Sequence, residues 1–134
     1  ALVGNPSAIF YSNVEKPFGW PDLFNYTTTI SCTVGTMTSA TITQATWKIL
    51  GKRLFSDVAF TLTNKGTGSS YMQFTTVVVA AATVVGGGRE YAVTGKSFTA
   101  TWTSGGTGVV LIFYDNTTTV VNNYAFSASV NGQI

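Results

Sequence analysis

The sequence predicts an all-β fold, an antiparallel β-sandwich or jelly roll of about eight strands with essentially no helix. β-branched and aromatic residues alternate with polar residues along most of the chain, which is the period of half-buried strands. Short turns rich in glycine and asparagine separate these runs. No stretch has the 3.6-residue period of an amphipathic helix, so the strands must form the core by themselves.

The chain has 134 residues, which suits one domain with a real core. Three prolines and Gly19 interrupt any period in residues 1–22, although this stretch is rich in apolar side chains. We expect residues 1–22 to be a connecting segment packed on the domain or on a neighbouring subunit, and residues 23–134 to be the sandwich. We expect Trp20, within this segment, to pack on the domain; the alternative is that its ring is a surface on which a ligand binds.

The first half of the domain contains three predicted strands. Residues 24–34 are rich in threonine and aromatic residues and end at a glycine, and residues 36–50 finish on the alternating apolar residues Ala45, Trp47 and Ile49. Residues 52–64 place Val58, Phe60 and Leu62 on one face and polar residues on the other.

The middle of the domain is less regular. Residues 64–68 predict a turn, and residues 71–76 predict a short strand. The valine- and alanine-rich stretch 77–85 has no helix cap and is predicted to be irregular or extended. Three consecutive glycines, residues 86–88, follow it and predict a glycine-rich turn.

The last part of the chain has the strongest β pattern. Residues 96–104 alternate strictly, and Gly105-Gly106 predicts a hairpin turn into residues 109–114. Because this second strand is apolar on both faces, Val110 and Ile112 are candidates for an interface between subunits. Residues 122–134 form the final predicted strand, with Phe126 and its alternating neighbours facing the core.

Composition argues against several functions. The chain is 45% hydrophobic and 9% charged, with a net charge of +2 and no run of basic residues. Binding to nucleic acid requires clustered cations, so it is not expected. No apolar run reaches the roughly 20 residues of a membrane helix, so membrane insertion is not expected either.

The residues also give little basis for catalysis. There is no histidine to activate Cys32, which we interpret as a buried structural residue. Glu90 with Asp115 is the one carboxylate pair worth considering for glycoside hydrolysis, and we do not expect it to be a catalytic dyad. Neither a metal site nor a cofactor is predicted, because no cluster has the spacing of metal ligands. We therefore expect a protein that is not an enzyme.

Arg89 and Glu90 are adjacent in a chain that has few charges. In one interpretation they form an ion pair, within the chain or across a trimer, that sets strand register. In the other interpretation, Arg89 makes a bidentate contact with an acidic sugar or with a lipopolysaccharide phosphate. Both interpretations remain open at the level of sequence.

Candidate glycan contacts are polar and aromatic residues in predicted loops, where recognition is usually found. The Tyr-Asp-Asn turn ends one strand, although its tyrosine is equally interpretable as a last core residue. The candidate ligand-binding residues are Arg89, Tyr91, Tyr114, Asp115 and Asn116.

Five short blocks carry a resemblance to a known family. They are Trp47-Lys48-Ile49-Leu50-Gly51-Lys52, Gly66-Thr67-Gly68, Gly88-Arg89-Glu90, Thr94-Gly95-Lys96 and Phe113-Tyr114-Asp115-Asn116. In this order, the blocks resemble a β domain at the C-terminal end of bacteriophage tail fibres and tailspikes, over roughly residues 20–134.

The resemblance implies a trimeric distal module of the virion tail, outside the cell, with residues 1–20 as the connection from a preceding part of a fibre. Its partners would be host surface polysaccharide or lipopolysaccharide and two further copies of itself. Two alternatives remain: a purely structural trimerisation or capping domain, and a jelly-roll capsid or decoration protein unrelated to tails.

Overall fold

The computed structural model describes residues 23–134, and within them all regular structure is β-strand. The strands are β1 Phe24–Asn25, β2 Ile30–Val34, β3 Ser39–Leu50, β4 Arg53–Asn64, β5 Ser69–Thr75, β6 Val84–Glu90, β7 Ser97–Trp102, β8 Gly108–Phe113 and β9 Ala125–Gln133. Every pairing between these strands is antiparallel. The predicted all-β antiparallel class is therefore confirmed. The predicted connecting segment 1–22, with Trp20, lies outside the described residues.

The strands form one curled nine-stranded sheet in the order β1-β3-β4-β9-β6-β7-β8-β5-β2. The predicted division into two stacked sheets is not confirmed, because each strand is hydrogen-bonded to the next in one continuous order. Curling lets one face of a single sheet enclose the core, while the other face lies towards solvent.

One continuous segment bridges the two edges of this sheet. Residues 24–34 were predicted to be one strand, but the structure divides them into β1, which pairs with β3, and β2, which pairs with β5 at the opposite edge. Between them, Tyr26 donates its hydroxyl hydrogen to the carbonyl of Thr75 at 2.8 Å, and the Thr28 hydroxyl donates to the same carbonyl at 2.9 Å. The prediction was wrong because the local composition is strand-like throughout and does not show which edge each half joins.

The inner face of the sheet carries the apolar residues that the alternation predicted. Val58, Phe60 and Leu62 of β4 are buried, and so are Phe126 and its alternating neighbours on β9. The rings of Phe60 and Phe126 pack with centroids 5.1 Å apart. Trp102 is fully buried, and its indole N–H donates to the Gly106 carbonyl at 2.9 Å. Burying this face is the main source of stability of the fold.

The three glycines at positions 86–88 are not a turn, which corrects the prediction. They lie inside β6, which is hydrogen-bonded to β7 on one side and to β9 on the other. A Cβ atom on Gly88 would overlap the Ser127 carbonyl oxygen and come within 2.5 Å of the Phe98 ring. Glycine is needed at position 88 because atoms of the neighbouring strands leave no room for a side chain. A turn conformation is not the reason.

The stretch 77–83 before β6 is irregular, as predicted, apart from an isolated bridge at Ala80. The hairpin of β7 and β8 is also confirmed, with Gly105 and Gly106 in its turn. Val110 and Ile112 project from the outer face of β8 and are half-buried. Strand β8 and its two neighbours, β5 and β7, lie within the stretches 69–75 and 97–113, which contain no charged residue.

The pairing pattern brings four connections to the same end of the sheet. Since the strands are antiparallel, the ends of β2, β4, β6 and β8 meet the starts of β3, β5, β7 and β9 there. We call this end the loop end. Its connections are residues 35–38, 65–68, 91–96 and 114–124. All the sequence-predicted glycan contacts lie at or beside the loop end.

Candidate functional site

Arg89 and Tyr114 share the outer face of the sheet at the loop end, with Ser97 between them. Arg89 pairs with Ser97 in the register of β6 and β7. Tyr114 lies one position beyond the Phe98–Phe113 pair and donates its N–H to the Ser97 carbonyl at 3.3 Å. Ser97 faces outwards because its neighbour Phe98 faces the core, and Tyr114, bonded to Ser97 at the start of the turn after β8, is exposed beside it. With two strand spacings between them, the backbones of Arg89 and Tyr114 are about 10 Å apart.

Tyr114 is an exposed residue and not the end of the core. Its side chain is 70% exposed, the largest value among the exposed large apolar and aromatic residues of the described chain. Of the two interpretations left open by the sequence, the structure therefore favours a turn residue available to a ligand. Tyr91, which follows β6 directly, is also exposed, at 54%.

The Arg89 side chain is exposed and is oriented by the neighbouring loop. Its Nε–H donates to the carbonyl oxygen of Gly95 at 3.0 Å. Gly95 has φ +68°, a backbone conformation that side chains disfavour, and a Cβ atom there would lie 3.1 Å from Nη2 of Arg89. Glycine at position 95 therefore both forms the loop and leaves room for the guanidinium group.

Within residues 23–134, Arg89 and Glu90 form no ion pair with each other, and an ion pair across a trimer stays a prediction. As consecutive residues of a strand they point to opposite faces. Arg89 is exposed on the outer face, and Glu90 is completely buried on the inner one.

The buried carboxylate of Glu90 organises the 91–96 loop. It accepts hydrogen bonds from the backbone N–H groups of Ala92, Val93 and Thr94, from the Thr94 hydroxyl, and from the N–H of Ala125 at the start of β9. Burial on its own raises the pKa of Glu90, but the hydrogen bonds from Thr94, Ala125 and Ala92 outweigh it and lower the pKa from 4.5 to about 2. Glu90 is therefore ionised at neutral pH, and we call this arrangement the Glu90 latch.

Asp115 joins the 91–96 loop to the 114–118 turn. Its Oδ2 atom accepts a hydrogen bond from Lys96 Nζ at 2.6 Å in an ion pair, and its Oδ1 atom accepts from the Thr117 hydroxyl at 2.7 Å and from the Thr117 N–H at 3.2 Å. The contact with Lys96, followed by those with Thr117, lowers the pKa of Asp115 to about 2. Lys96 Nζ also lies 5.4 Å from the centre of the Phe113 ring.

The next residue of the turn, Asn116, is exposed and has φ +59°. Its N–H donates to the Phe113 carbonyl at 2.9 Å, which closes the turn. Asparagine tolerates this left-handed conformation better than most residues do, so its presence at position 116 has a local structural reason in addition to any role in binding.

Sequence reasoning did not identify Lys96, Ser97, Thr94 or Gly95 as parts of this region. The available signal was the Thr-Gly-Lys block, which combines a positive-φ residue with a cation in a chain of few charges. What the sequence does not show is that strand register brings Lys96 next to the 114–118 turn.

Of the carboxylate pair considered from the sequence, Glu90 is buried on the inner face and Asp115 is exposed in the 114–118 turn. All the oxygens of Glu90 and Asp115 accept hydrogen bonds from protein donors. No group of three or more His, Cys, Asp or Glu side chains that could hold a metal ion occurs among the described residues. Cys32 is buried and free, as the sequence predicted. In the same part of the chain no helix is long and apolar enough to span a membrane.

Comparison of the chain with protein-family models, with curated proteins and with solved structures gives no match.

Proposed function

We propose that this chain is a non-catalytic distal module of a bacteriophage tail fibre or tailspike, and that its loop end binds a glycan of the host cell surface. The observation that carries the proposal is the exposure of Tyr114, a large aromatic side chain on a turn that Asp115 and Asn116 hold in place. Exposed aromatic rings supply flat contact area for a sugar face, and rigid loops lose little entropy on binding.

Polar groups around the ring supply the remaining requirement of a sugar site, which is hydrogen bonding to hydroxyl groups. Ser97, whose carbonyl accepts the Tyr114 N–H, and Asn116, two residues further along the same turn, are both exposed. A surface of this composition, with hydroxyl and amide groups around an aromatic ring, matches a carbohydrate better than a nucleic acid, for which a cluster of cations would be needed.

A glycan array of bacterial surface polysaccharides and lipopolysaccharides, probed with the isolated chain, tests this function. We expect binding to at least one glycan, and a loss of about tenfold or more in affinity for Tyr114→Ala. Tyr114→Phe keeps the ring and serves as the matched control, with affinity close to that of the original chain. Binding that is unchanged in Tyr114→Ala would exclude the loop end as the site.

A second candidate function is trimerisation of the fibre end, and a different observation favours it. Val110 and Ile112 lie on the outer face of β8, between strands whose outward residues are uncharged. An uncharged face with central aliphatic residues is typical of contacts between identical subunits, where charged residues are depleted. Ile112 of β8 lies two residues before Tyr114, so this surface adjoins the loop end. Both functions are compatible in one molecule if the trimer contact leaves the Tyr114 ring accessible.

A further inference from the structure

We propose that the glycan bound at the loop end carries an anionic group, a carboxylate or a phosphate, and that Arg89 recognises it. This inference rests on the proposed glycan-binding function and names the class of ligand. Arg89 lies on the same outer face as Tyr114, separated from it by the single strand position of Ser97. A sugar stacked on Tyr114 can therefore direct a substituent towards the guanidinium group.

The guanidinium group is held in place before a ligand arrives. Its Nε–H is bonded to the Gly95 carbonyl, while its terminal Nη atoms make no hydrogen bond to any residue in 23–134. Two parallel N–H groups of an arginine match the two oxygens of a carboxylate or phosphate, which gives stronger and more directional binding than an ammonium group does. The orientation of Arg89 leaves these terminal groups for an outside partner.

The other charges near this point do not compete for the anion. Lys96 is already paired with Asp115 at 2.6 Å, and the Glu90 carboxylate is buried on the opposite face, surrounded by backbone N–H donors. Arg89 is thus the cation at this corner of the sheet whose charge has no acidic partner among the described residues.

The Glu90 latch explains why Arg89 keeps its orientation. The latch fixes the N–H groups of residues 92–94, and the next residue, Gly95, presents the carbonyl that binds Nε of Arg89. Glu90 is therefore a positioning residue for Arg89, and its own carboxylate does not reach the ligand face.

Three sugars with the same ring separate the ligand classes: glucose, sodium glucuronate and glucose 6-phosphate. We would titrate each into the isotope-labelled chain and follow the Arg89 Nε–H signal and the backbone signals of Ser97 and Tyr114 by nuclear magnetic resonance. We expect glucuronate, glucose 6-phosphate or both to shift these signals with an affinity about tenfold or more above that of glucose. The acid that binds more tightly identifies whether a carboxylate or a phosphate is preferred.

The matched variants are Arg89→Lys and Arg53→Lys. Arg53 is also an exposed arginine whose Nε–H is bonded within the chain, to Asn131 Oδ1 at 3.1 Å, but it lies at the opposite end of the sheet. We expect Arg89→Lys to weaken binding of the acidic sugar about tenfold, because lysine keeps the positive charge but lacks the two parallel N–H donors of the guanidinium group. Arg53→Lys should leave the affinity unchanged.

Equal affinities for glucose and the two acids, or equal behaviour of Arg89→Lys and Arg53→Lys, would overturn the role of Arg89. If Tyr114→Ala abolishes glucose binding in the same experiment, the proposed glycan function stands while the anionic inference fails. If none of the sugars shifts the loop-end signals and no glycan on the array is bound, both the proposed glycan binding and the proposed anion recognition by Arg89 are wrong.

Discussion

Glu90 binds the first residue of β9: its Oε2 atom accepts a hydrogen bond from the Ala125 N–H at 3.0 Å. The two residues are 35 positions apart in the chain, and the same carboxylate also accepts hydrogen bonds from the N–H groups of the loop that follows Glu90. One buried anion therefore ties a loop to a neighbouring strand, and it does so with charge-assisted hydrogen bonds.

The Glu90 latch predicts a specific dependence of stability on pH. Because the folded-state pKa of Glu90 is lowered from 4.5 to about 2, its contribution is present above about pH 5 and is lost as the pH falls towards 2. The shift corresponds to about 3 kcal/mol at neutral pH. We expect Glu90→Gln to lower the free energy of unfolding at pH 7 by about this amount, and to flatten its decrease between pH 5 and 2.

Urea denaturation at several pH values measures this effect. Asp57→Asn is the matched control, since Asp57 lies on the solvent-facing side of β4 and accepts a hydrogen bond from the Ser129 hydroxyl. A Glu90→Gln variant with the same stability and the same pH profile as Asp57→Asn would contradict the latch.

The close approach of β6 and β9 predicts opposite results for two adjacent glycines. A Cβ atom on Gly88 overlaps the Ser127 carbonyl oxygen, whereas a Cβ atom on Gly87 meets nothing closer than the Phe98 carbonyl at 3.4 Å. We expect Gly88→Ala to destabilise the chain by about 2 kcal/mol or more. Gly87→Ala should have little effect or be slightly stabilising, because alanine loses less backbone entropy on folding.

Thermal denaturation of the two alanine variants provides the comparison. Equal transition temperatures would mean that the backbones of β6 and β9 are further apart than the structure places them.

The outer face of β8 predicts a loss of assembly when a charge is introduced there. If Val110 and Ile112 lie between subunits, Val110→Asp and Ile112→Asp should each convert a trimer to a monomer, since burying an unpaired carboxylate is strongly unfavourable. Val79→Asp is the control, because Val79 is an exposed valine of the irregular stretch 77–83 and does not lie on the outer face of a strand. Light scattering gives the particle mass, and a folded trimer from both β8 variants would exclude this face as the interface.

The ion pair between Lys96 and Asp115 predicts a measurable change in one pKa. Lys96 is the first cause of the low pKa of Asp115, which is about 2 instead of 3.8. We expect Lys96→Met to raise the pKa of Asp115 towards 3.8, although the hydrogen bonds from Thr117 keep part of the shift.

The pH titration of the Thr117 amide signal reports this pKa, because that N–H donates to the Asp115 carboxylate. Lys65→Met removes a lysine from a different loop and should leave the titration midpoint where it is. An unchanged midpoint in Lys96→Met would show that the pair does not form in solution.

Much of the fold followed from local pattern. Alternation in β4, β7 and β9 identified which side chains face the core, since the period of a strand is two and apolar residues must leave water on one face. The same reasoning failed for Gly88, where a run of glycines was interpreted as a turn. Local sequence does not distinguish a glycine that is required because its backbone angles are disfavoured for other residues from one that is required because a neighbouring strand leaves no room for a Cβ atom.

The candidate site was predictable in composition but not in arrangement. Arg89 and Asp115 stood out because charged residues are scarce in this chain, and Tyr91, Tyr114 and Asn116 because they lie beside them in predicted loops. Their sequence spacing did not show that Glu90 faces away from Arg89 into a shell of N–H donors, or that Lys96 reaches Asp115. Both facts depend on which face and which neighbour each strand has.

The sequence by itself determined that this protein is an antiparallel β fold with a core of alternating apolar residues, because burial on one face of a strand is a local property of the pattern. Only the tertiary structure decided that the strands form one curled sheet, and that Arg89 and Tyr114 lie on one face with Ser97 between them. The physical reason is that strand pairing joins residues that are far apart in the chain. The hydrogen bonds of this pairing are made by backbone groups that nearly every residue has, so the local sequence does not specify which strands pair or in which register.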